Sequence, residues 1–301
     1  QAGVSNTTVT MNAASMNNSG FEFSATYRNR DRDFKYELSA NLSTLRNRVT
    51  SLGFGTDSYI SGAYITNVGQ EIGQFYGWAY EGIARTQEDL DNHATQEGAR
   101  IGDCLYKDVS GPDGKPDGKI DANDQVVLGS GMPKIHFGFN ARFEYKRFDL
   151  SIATFGALNY HVSDDIYNSL NSCYGWGNKE VGMLDANRFS EDGSTYLSNV
   201  PRTYVTNSAS LGWNDLFSSR KIQNAAYWKI ANVELGYNFP NEWFGKYVSD
   251  VRFYVSAQNL HTFTGYHGYN VDYAGGTFTP GYNFCSYPTA RTFMCGVHFT
   301  F

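Results

Sequence analysis

Apolar and polar residues alternate along several segments of the chain, which is the period expected of β-strands with one apolar face. The alternation runs through residues 20–29, 33–46, 134–158, 224–239, 249–262 and 289–301. In the last segment Phe293, Val297, Phe299 and Phe301 share one side, together with Cys295. Strands of about ten residues exceed the ~5–6 residues that are usual in soluble proteins. The pattern predicts an all-β, antiparallel protein.

Two architectures explain this alternation. In a soluble β-sandwich the polar face of each sheet meets water on the outside. In a transmembrane β-barrel the apolar face meets lipid, and the polar face lines a wet lumen. A length near ten residues suits a tilted strand that crosses a bilayer, and apolar faces rich in Phe and Tyr are typical of aromatic girdles. We therefore predict a transmembrane barrel segment.

The composition agrees with strands and turns. Among 301 residues, 16% are aromatic and 31 are Gly, while only 7 are Pro. No apolar run approaches the ~18–20 residues of a membrane helix, which excludes a helical membrane protein. The net charge of −6, with no basic block, argues against nucleic acid as a partner. The chain starts at Gln1 without a signal peptide, so we expect this start to be internal to a longer gene product.

Long irregular segments separate pairs of strands. Residues 102–133 are rich in Gly, Asp and Pro, and residues 160–221 lack strand periodicity. We predict both as long loops. A loop as long as residues 160–221 is either functional or disordered. Thr86, followed three residues later by Asp89, resembles a capping box and predicts a short helix. Short turns that alternate with long loops are typical of outer-membrane barrels.

Residues 113–124 place carboxylates at the spacing of an EF-hand calcium loop. The ligand positions would be taken by Asp113, Asp117, the carbonyl of Lys119, Asp121 and Asp124. Two departures weaken the match, because Lys115 stands where Asp or Asn belongs and Asp124 is shorter than the usual Glu. A loop ordered by Ca²⁺ and an Asp/Gly turn without a metal both stay open. No cofactor is required beyond this possible Ca²⁺.

Catalysis is not expected, because no motif places a nucleophile beside a base and adjacent carboxylates are usually solvated. We therefore predict that the chain is not an enzyme. Tyr174, Trp176 and Trp213 in the second long loop are candidate substrate contacts, since exposed aromatic rings offer amphipathic contact area. They could equally pack the loop or a partner. Cys104 and Cys173 could form a disulfide in an oxidising compartment.

Six blocks of the chain occur in an order that is typical of one protein family. They include Asp-Gly-Lys-Ile-Asp-Ala-Asn-Asp at 117–124, Gly-Phe-Asn-Ala-Arg-Phe-Glu-Tyr at 138–145 and Arg-Phe-Tyr-Val-Ser-Ala-Gln-Asn-Leu at 252–260. The other blocks lie at 69–83, 225–240 and 287–293. Together they resemble the C-terminal third of the SusC/RagA family of TonB-dependent outer-membrane transporters. The strand that ends at Phe301 resembles the terminal strand by which outer-membrane barrels are recognised for insertion.

The resemblance implies a fold, a location and a function. Such proteins are plugged barrels of about twenty-two strands, to which residues 1–301 would contribute about seven or eight. The implied location is the bacterial outer membrane, and the implied function is active import of a glycan or a peptide. The implied partners are a SusD-like surface lipoprotein, TonB, membrane lipid and the remainder of the same polypeptide. The plug and the N-terminal region that contacts TonB would lie in that remainder.

Two other functions compete with active import. One is a secreted all-β carbohydrate-binding module or glycosidase that uses the calcium loop. The other is a passive porin-type barrel. Membrane fractionation distinguishes the first from a transporter, and dependence on TonB and on a lipoprotein partner distinguishes the second.

Overall fold

The computed structural model describes residues 14–53, 55–173, 178–185, 188–203, 212–244, 248–272 and 275–301. Its strands in these ranges are β1 (Ser15–Ser19), β2 (Glu22–Asn29), β3 (Phe34–Thr44), β4 (Arg46–Ser51), β5 (Ser58–Ser61), β6 (Tyr64–Asn67), β7 (Gln74–Trp78), β8 (Tyr80–Ile83), β9 (Cys104–Tyr106), β10 (Gln125–Ser130), β11 (Ile135–Tyr145), β12 (Phe148–Leu158), β13 (His161–Asp164), β14 (Gln223–Asn224), β15 (Tyr227–Asn238), β16 (Asp250–Thr264), β17 (Tyr282–Asn283) and β18 (Thr292–Thr300).

Helices are few and short. The α-helices are α1 (Gln87–Asn92) and α2 (Asp165–Leu170), and short 3₁₀ helices lie at Ala122–Asp124, Val181–Asp185, Trp213–Asp215, Ser219–Lys221 and Asn241–Trp243. Helix α1 begins after the predicted capping box, in which Thr86 Oγ1 accepts from Asp89 N and Asp89 accepts from Thr86 N. Among the described residues no helix is long and apolar enough to span a membrane.

Seven long strands form one antiparallel sheet, here called the wall, in the order β2–β3–β11–β12–β15–β16–β18. Each wall strand pairs with the next wall strand along the chain. Of the remaining strands, β1 precedes β2 and pairs with β4, and the others lie in the connections between wall strands. The sheet is open, with β2 at one edge and β18 at the other. The prediction of long antiparallel strands that form part of a barrel is therefore confirmed, with strand boundaries that agree within a few residues.

The two ends of the wall differ in their connections. At the short-turn end, residues 30–33 join β2 to β3, Lys146 and Arg147 join β11 to β12, and residues 239–249 join β15 to β16. Lys146 takes a left-handed backbone conformation with φ 56°, which closes the tight two-residue turn. At the opposite end the connections span residues 45–134, 159–226 and 265–291. We call these three connections together the loop layer.

The two faces of the wall differ in chemistry. Aromatic pairs lie on the apolar face towards the short-turn end, among them Phe34 with Phe143 and Phe148 with Tyr237, whose ring centroids are 6.0 and 4.8 Å apart. Near the loop layer Trp228 stacks on Phe263 at 5.3 Å, and both are about half exposed. Two aromatic bands that flank an apolar strip are the arrangement of a sheet whose outer face meets lipid.

The polar face carries an ion-pair network across three strands. Arg252 on β16 lies 2.5 Å from Asp149 on β12 and 2.8 Å from Glu234 on β15. Its side chain crosses β15 directly over Gly236, where a Cβ atom would collide with the guanidinium group. Glycine at this position therefore lets one arginine connect strands that are not neighbours.

A β-bulge in β15 inverts its two faces. Thr154 and Ala153 on β12 pair with Ile230 and Asn232, so Ala231 has no partner on that side. One extra residue reverses the side-chain alternation beyond it. Between the bulge and the short-turn end the predicted alternation holds. Between the bulge and the loop layer it is reversed, and Lys229 points to the polar face.

Candidate ligand-binding site in the loop layer

The loop layer is a folded structure rather than a set of irregular loops. The predicted loop at 102–133 contains β9 and β10, which pair with β8 and β7. The predicted loop at 160–221 contains β13 and α2. Short strands form here because brief apolar runs such as Cys-Leu-Tyr at 104–106 become buried, and buried backbone groups must pair. Runs of three residues are too short to show strand periodicity in the sequence.

A buried ion pair joins the first and second long connections. Asp103 is fully buried, and the Arg202 guanidinium approaches both carboxylate oxygens, at 2.6 Å from Nε and 2.9 Å from Nη2. The same carboxylate accepts hydrogen bonds from Asn214 Nδ2 at 2.7 Å and from the Arg100 backbone N–H at 2.9 Å. Three hydrogen bonds and the ion pair around one buried carboxylate fix the relative positions of these segments.

A second buried network joins the second and third long connections. The Asp164 side chain accepts from the Tyr266 hydroxyl, from Asn283 Nδ2 at 3.2 Å and from the Tyr167 backbone N–H at 2.9 Å. Burial, followed in importance by this contact with Asp164, raises the pKa of Tyr266. The Tyr167 contact also makes Asp164 the N-cap of α2. Asp164 thus has a structural role.

The third connection also folds onto the polar face of the wall. Lys229, only 4% exposed, forms an ion pair with Asp272, and the Tyr160 hydroxyl donates to the Val271 carbonyl at 2.8 Å. Val271 packs in a buried apolar cluster that includes Tyr160 and Tyr227. The bulge in β15 makes this docking possible, since it turns Lys229 inward.

Two tryptophans line a cavity of about 550 Å³ in the loop layer, here called the tryptophan pocket. Its lining residues are Trp78, Glu97, Gly98, Asp121, Ala122, Gly212, Trp213 and Leu216. The indole N–H of Trp78 donates to the Asp121 carbonyl at 3.0 Å, and that of Trp213 donates to the Glu97 carbonyl at 2.8 Å. Both indoles are therefore held in place through their polar edges.

Trp213 is also held through its backbone carbonyl. Tyr106 donates from its hydroxyl to the Trp213 carbonyl, and the two rings lie 6.3 Å apart. Of the three aromatic residues predicted as substrate contacts, Trp213 lies in a pocket, while Tyr174 and Trp176 lie outside the described residues. Sequence reasoning missed Trp78, because its partner in the pocket comes from a distant connection and no local spacing links the two.

A wider cavity of about 720 Å³ lies beside α1. Leu90, His93, Arg100 and Phe189 are among its lining residues. His93 Nε2 lies 3.4 Å from a carboxylate oxygen of Glu81, at the base of the helix. The lining of this cavity mixes cationic, anionic and apolar groups, which indicates no single ligand chemistry.

The aspartates of residues 113–124 contact backbone N–H groups. Asp124 is fully buried and accepts from Val109 N at 2.9 Å, Ser110 N at 3.1 Å and Asp121 N at 2.8 Å. Asp117 accepts from Lys119 N, and Asp121 accepts from Asn123 N. Among the described residues no group of three or more His, Cys, Asp or Glu side chains converges as a metal site would. The Ca²⁺ loop, with Asp113 as its first ligand, stays a prediction.

Replacing Asp124 by alanine is expected to destabilise the segment 108–124 locally by about 2–4 kcal/mol, because three backbone N–H groups lose the buried carboxylate that accepts their hydrogen bonds. Faster proteolytic cleavage of this segment in the folded protein measures the effect. Glu88→Ala is the control, since Glu88 is exposed and lies outside this segment. Protection of the wild-type segment by added CaCl₂, reversed by EDTA, would support the cation. Equal cleavage of Asp124→Ala and wild type would contradict the capping role.

The four cysteines are free thiols, and Cys104 and Cys173 are both fully buried. Burial raises the pKa of Cys104 to about 12 and that of Cys173 to about 11. A thiol reacts as its thiolate, so a raised pKa and burial both slow alkylation. The disulfide considered from the sequence is not formed in this structure.

At pH 8 we expect a maleimide to label Cys285, which is exposed, at least about a hundredfold faster than Cys104 or Cys173. The raised pKa values of Cys104 and Cys173 lower their thiolate fractions, and burial adds a steric barrier. Peptide mapping after timed labelling measures the three rates. Unfolding in denaturant should equalise them, and comparable rates in the folded protein would contradict the burial.

The terminal strand places its predicted insertion residues on one exposed face. Phe293, Val297 and Phe299 on β18 are 70%, 49% and 51% exposed, and Phe301 follows the strand at the short-turn end. β18 pairs with β16 through a regular register from Thr292 with Gln258 to Thr300 with Asp250. The role of these residues in insertion stays a prediction.

The chain is similar over nearly its whole length to known receptors. It is 30% identical over 309 residues to TonB-dependent receptor P3 of Formosa agariphila, covering 96% of this chain and 29% of that receptor. It is 25% identical to TonB-dependent receptor SusC of Bacteroides thetaiotaomicron, covering 98% of this chain and 27% of SusC. The chain thus spans about three tenths of the length of the curated relatives that it matches. No family model matches the chain.

The fold is similar to that of a solved transporter. The structure of the RagAB peptide transporter superimposes with a TM-score of 0.74 at 22% identity, covering 95% of this chain and 29% of that one. The relatives bear the names of receptors and transporters, not of enzymes. The open wall matches part of the barrel fold of that transporter. The chain is therefore a homologue of one segment of the SusC/RagA-type TonB-dependent receptors, which are proteins of the outer membrane.

Proposed function

We propose that the protein containing this chain imports a glycan or a peptide across the bacterial outer membrane, with energy supplied through TonB. The observation that carries the proposal is the similarity to TonB-dependent receptors over 96% of the chain. The structure supports it with a wall that is aromatic and apolar on one face and charged on the other. A lumen lined by such a polar face suits a hydrophilic nutrient.

This segment would supply part of the wall and part of the loop layer in a SusCD-like complex. The proposed partners are a SusD-like surface lipoprotein above the loop layer, TonB, surrounding lipid and the remaining segments of the same polypeptide. We propose no catalytic step for these residues. The chemistry of import is capture, passage and release, and Ca²⁺ at residues 113–124 would order a loop without taking part.

Deletion of the gene and depletion of TonB test the proposal in the native bacterium. We expect either change to abolish uptake of the nutrient, measured with labelled glycan and peptide mixtures, while uptake through general porins continues. Affinity purification of the tagged receptor from outer membranes should recover a surface lipoprotein. Uptake that continues without TonB would indicate a passive barrel, and recovery of the receptor as a soluble protein would contradict a membrane location.

A further inference from the structure

We propose that the tryptophan pocket binds the side chain of a lysine or an arginine carried by a peptide ligand. This inference rests on the proposed import function and names one chemical feature of the imported substrate. It is argued from the hydrogen-bonding groups, the charges and the apolar surface of the pocket.

The described lining residues of the pocket offer acceptors but no free side-chain donor. Among the described lining residues the side-chain N–H groups are the two indoles, and each already donates to a backbone carbonyl. The remaining polar side chains are the carboxylates of Glu97 and Asp121. A ligand that fits this lining must donate hydrogen bonds and needs no donor in return.

The charge of the pocket favours a cation. Two acidic residues, Glu97 and Asp121, line it, and among the described residues neither lysine nor arginine does. Tryptophan faces attract cations more strongly than the other aromatic rings do. Carboxylates and indole faces therefore act in the same direction, and an anionic ligand would be repelled by both.

The apolar surface of the pocket distinguishes a peptide side chain from a sugar. Leu216, Ala122 and the ring faces of the tryptophans offer contact to an apolar stem. Lysine and arginine combine such a stem with a charged head that only donates. A saccharide, including an amino sugar, brings ring and hydroxyl oxygens that also need donors, which the lining side chains do not provide.

Fluorescence anisotropy with the full-length receptor in detergent tests the proposal. The probes are end-blocked, labelled pentapeptides that differ only at the central residue, which is lysine, arginine, norleucine or citrulline. We expect the lysine and arginine peptides to bind about tenfold more tightly than their neutral counterparts. The preference should weaken as salt is raised, because exposed carboxylates are screened.

A double variant, Glu97→Gln with Asp121→Asn, removes both charges and keeps the side-chain shapes. Asparagine at 121 can still accept from Asn123 N, as Asp121 does. We expect this variant to bind lysine and norleucine peptides equally. The control is Glu88→Gln with Glu191→Gln, which removes two exposed charges elsewhere in the loop layer and should keep the preference. Matching thermal unfolding of all three proteins confirms their folding.

Several results would overturn the proposal. These are equal affinity of the wild-type receptor for lysine and norleucine peptides, no measurable binding of any peptide, or loss of the preference in the control. Competition by chitosan oligosaccharides as effective as that by the lysine peptide would assign the pocket to amino sugars instead. Each of these results leaves TonB-dependent uptake intact, so a failure here is distinct from a failure of the proposed function.

Discussion

Replacing Asp103 by alanine is expected to destabilise the loop layer by about 3–5 kcal/mol, the usual cost of removing one partner of a buried ion pair. The Arg202 guanidinium, whose side chain is 14% exposed, would keep its charge without a counter-ion. Asn214 and the Arg100 backbone would each lose an acceptor as well. Among the described residues the hydrogen-bond and ion-pair partners of this carboxylate belong to the loop layer, so the effect should be local.

Hydrogen exchange of the full-length receptor measures this change. Amides at 100–106 and 196–203 should exchange faster in Asp103→Ala, while amides of β11 and β12 keep their wild-type rates. Glu191→Ala, at an exposed position of the same layer, is the control and should change neither group. Asp103→Asn should fall between the two variants, because an amide keeps acceptor capacity but loses the charge. Unchanged exchange in Asp103→Ala would mean that the ion pair does not hold these connections together.

Replacing Asp164 by alanine is expected to cost about 3 kcal/mol or more, because a buried hydroxyl, a buried amide and the first turn of a helix all lose one acceptor. Tyr266 and Asn283 still contact each other at 2.8 Å, which limits the loss. Asp165→Ala is the matched control one residue away, and the loss of a carboxylate in the first helical turn should cost under about 1 kcal/mol.

Limited proteolysis within 265–291 reports the release of the third connection in the Asp164 variant. We expect cleavage there to accelerate strongly in Asp164→Ala and weakly in Asp165→Ala. Similar cleavage of the two variants would contradict the structural role of Asp164.

The wall could be predicted from the sequence because its signal is local. A period of two residues along β3 or β11 needs no knowledge of which strand lies beside it. The capping box at Thr86 could be predicted for the same reason, since both partners lie within four residues. The bulge at Ala231 could not be predicted, because alternating patterns on either side of an extra residue each look regular.

The loop layer could not be predicted, because its signals join distant parts of the chain. Nothing in the surroundings of Asp103 indicates that Arg202 neutralises it, and Trp78 and Trp213 come from separate connections. The aspartates of residues 113–124 show a further reason. Spacing that suits a cation also suits a series of turns in which carboxylates accept from backbone N–H groups, and the sequence does not distinguish the two.

The cross-links between connections bear on how such a receptor can acquire a new substrate. Asp103 with Arg202 joins the first connection to the second, and Asp164 with Tyr266 joins the second to the third. If one connection were replaced by that of another receptor, a buried polar side chain in a remaining connection would lose its partner. A new specificity is therefore expected to arise by point changes within the tryptophan pocket, or by recombination that exchanges all three connections as a single module.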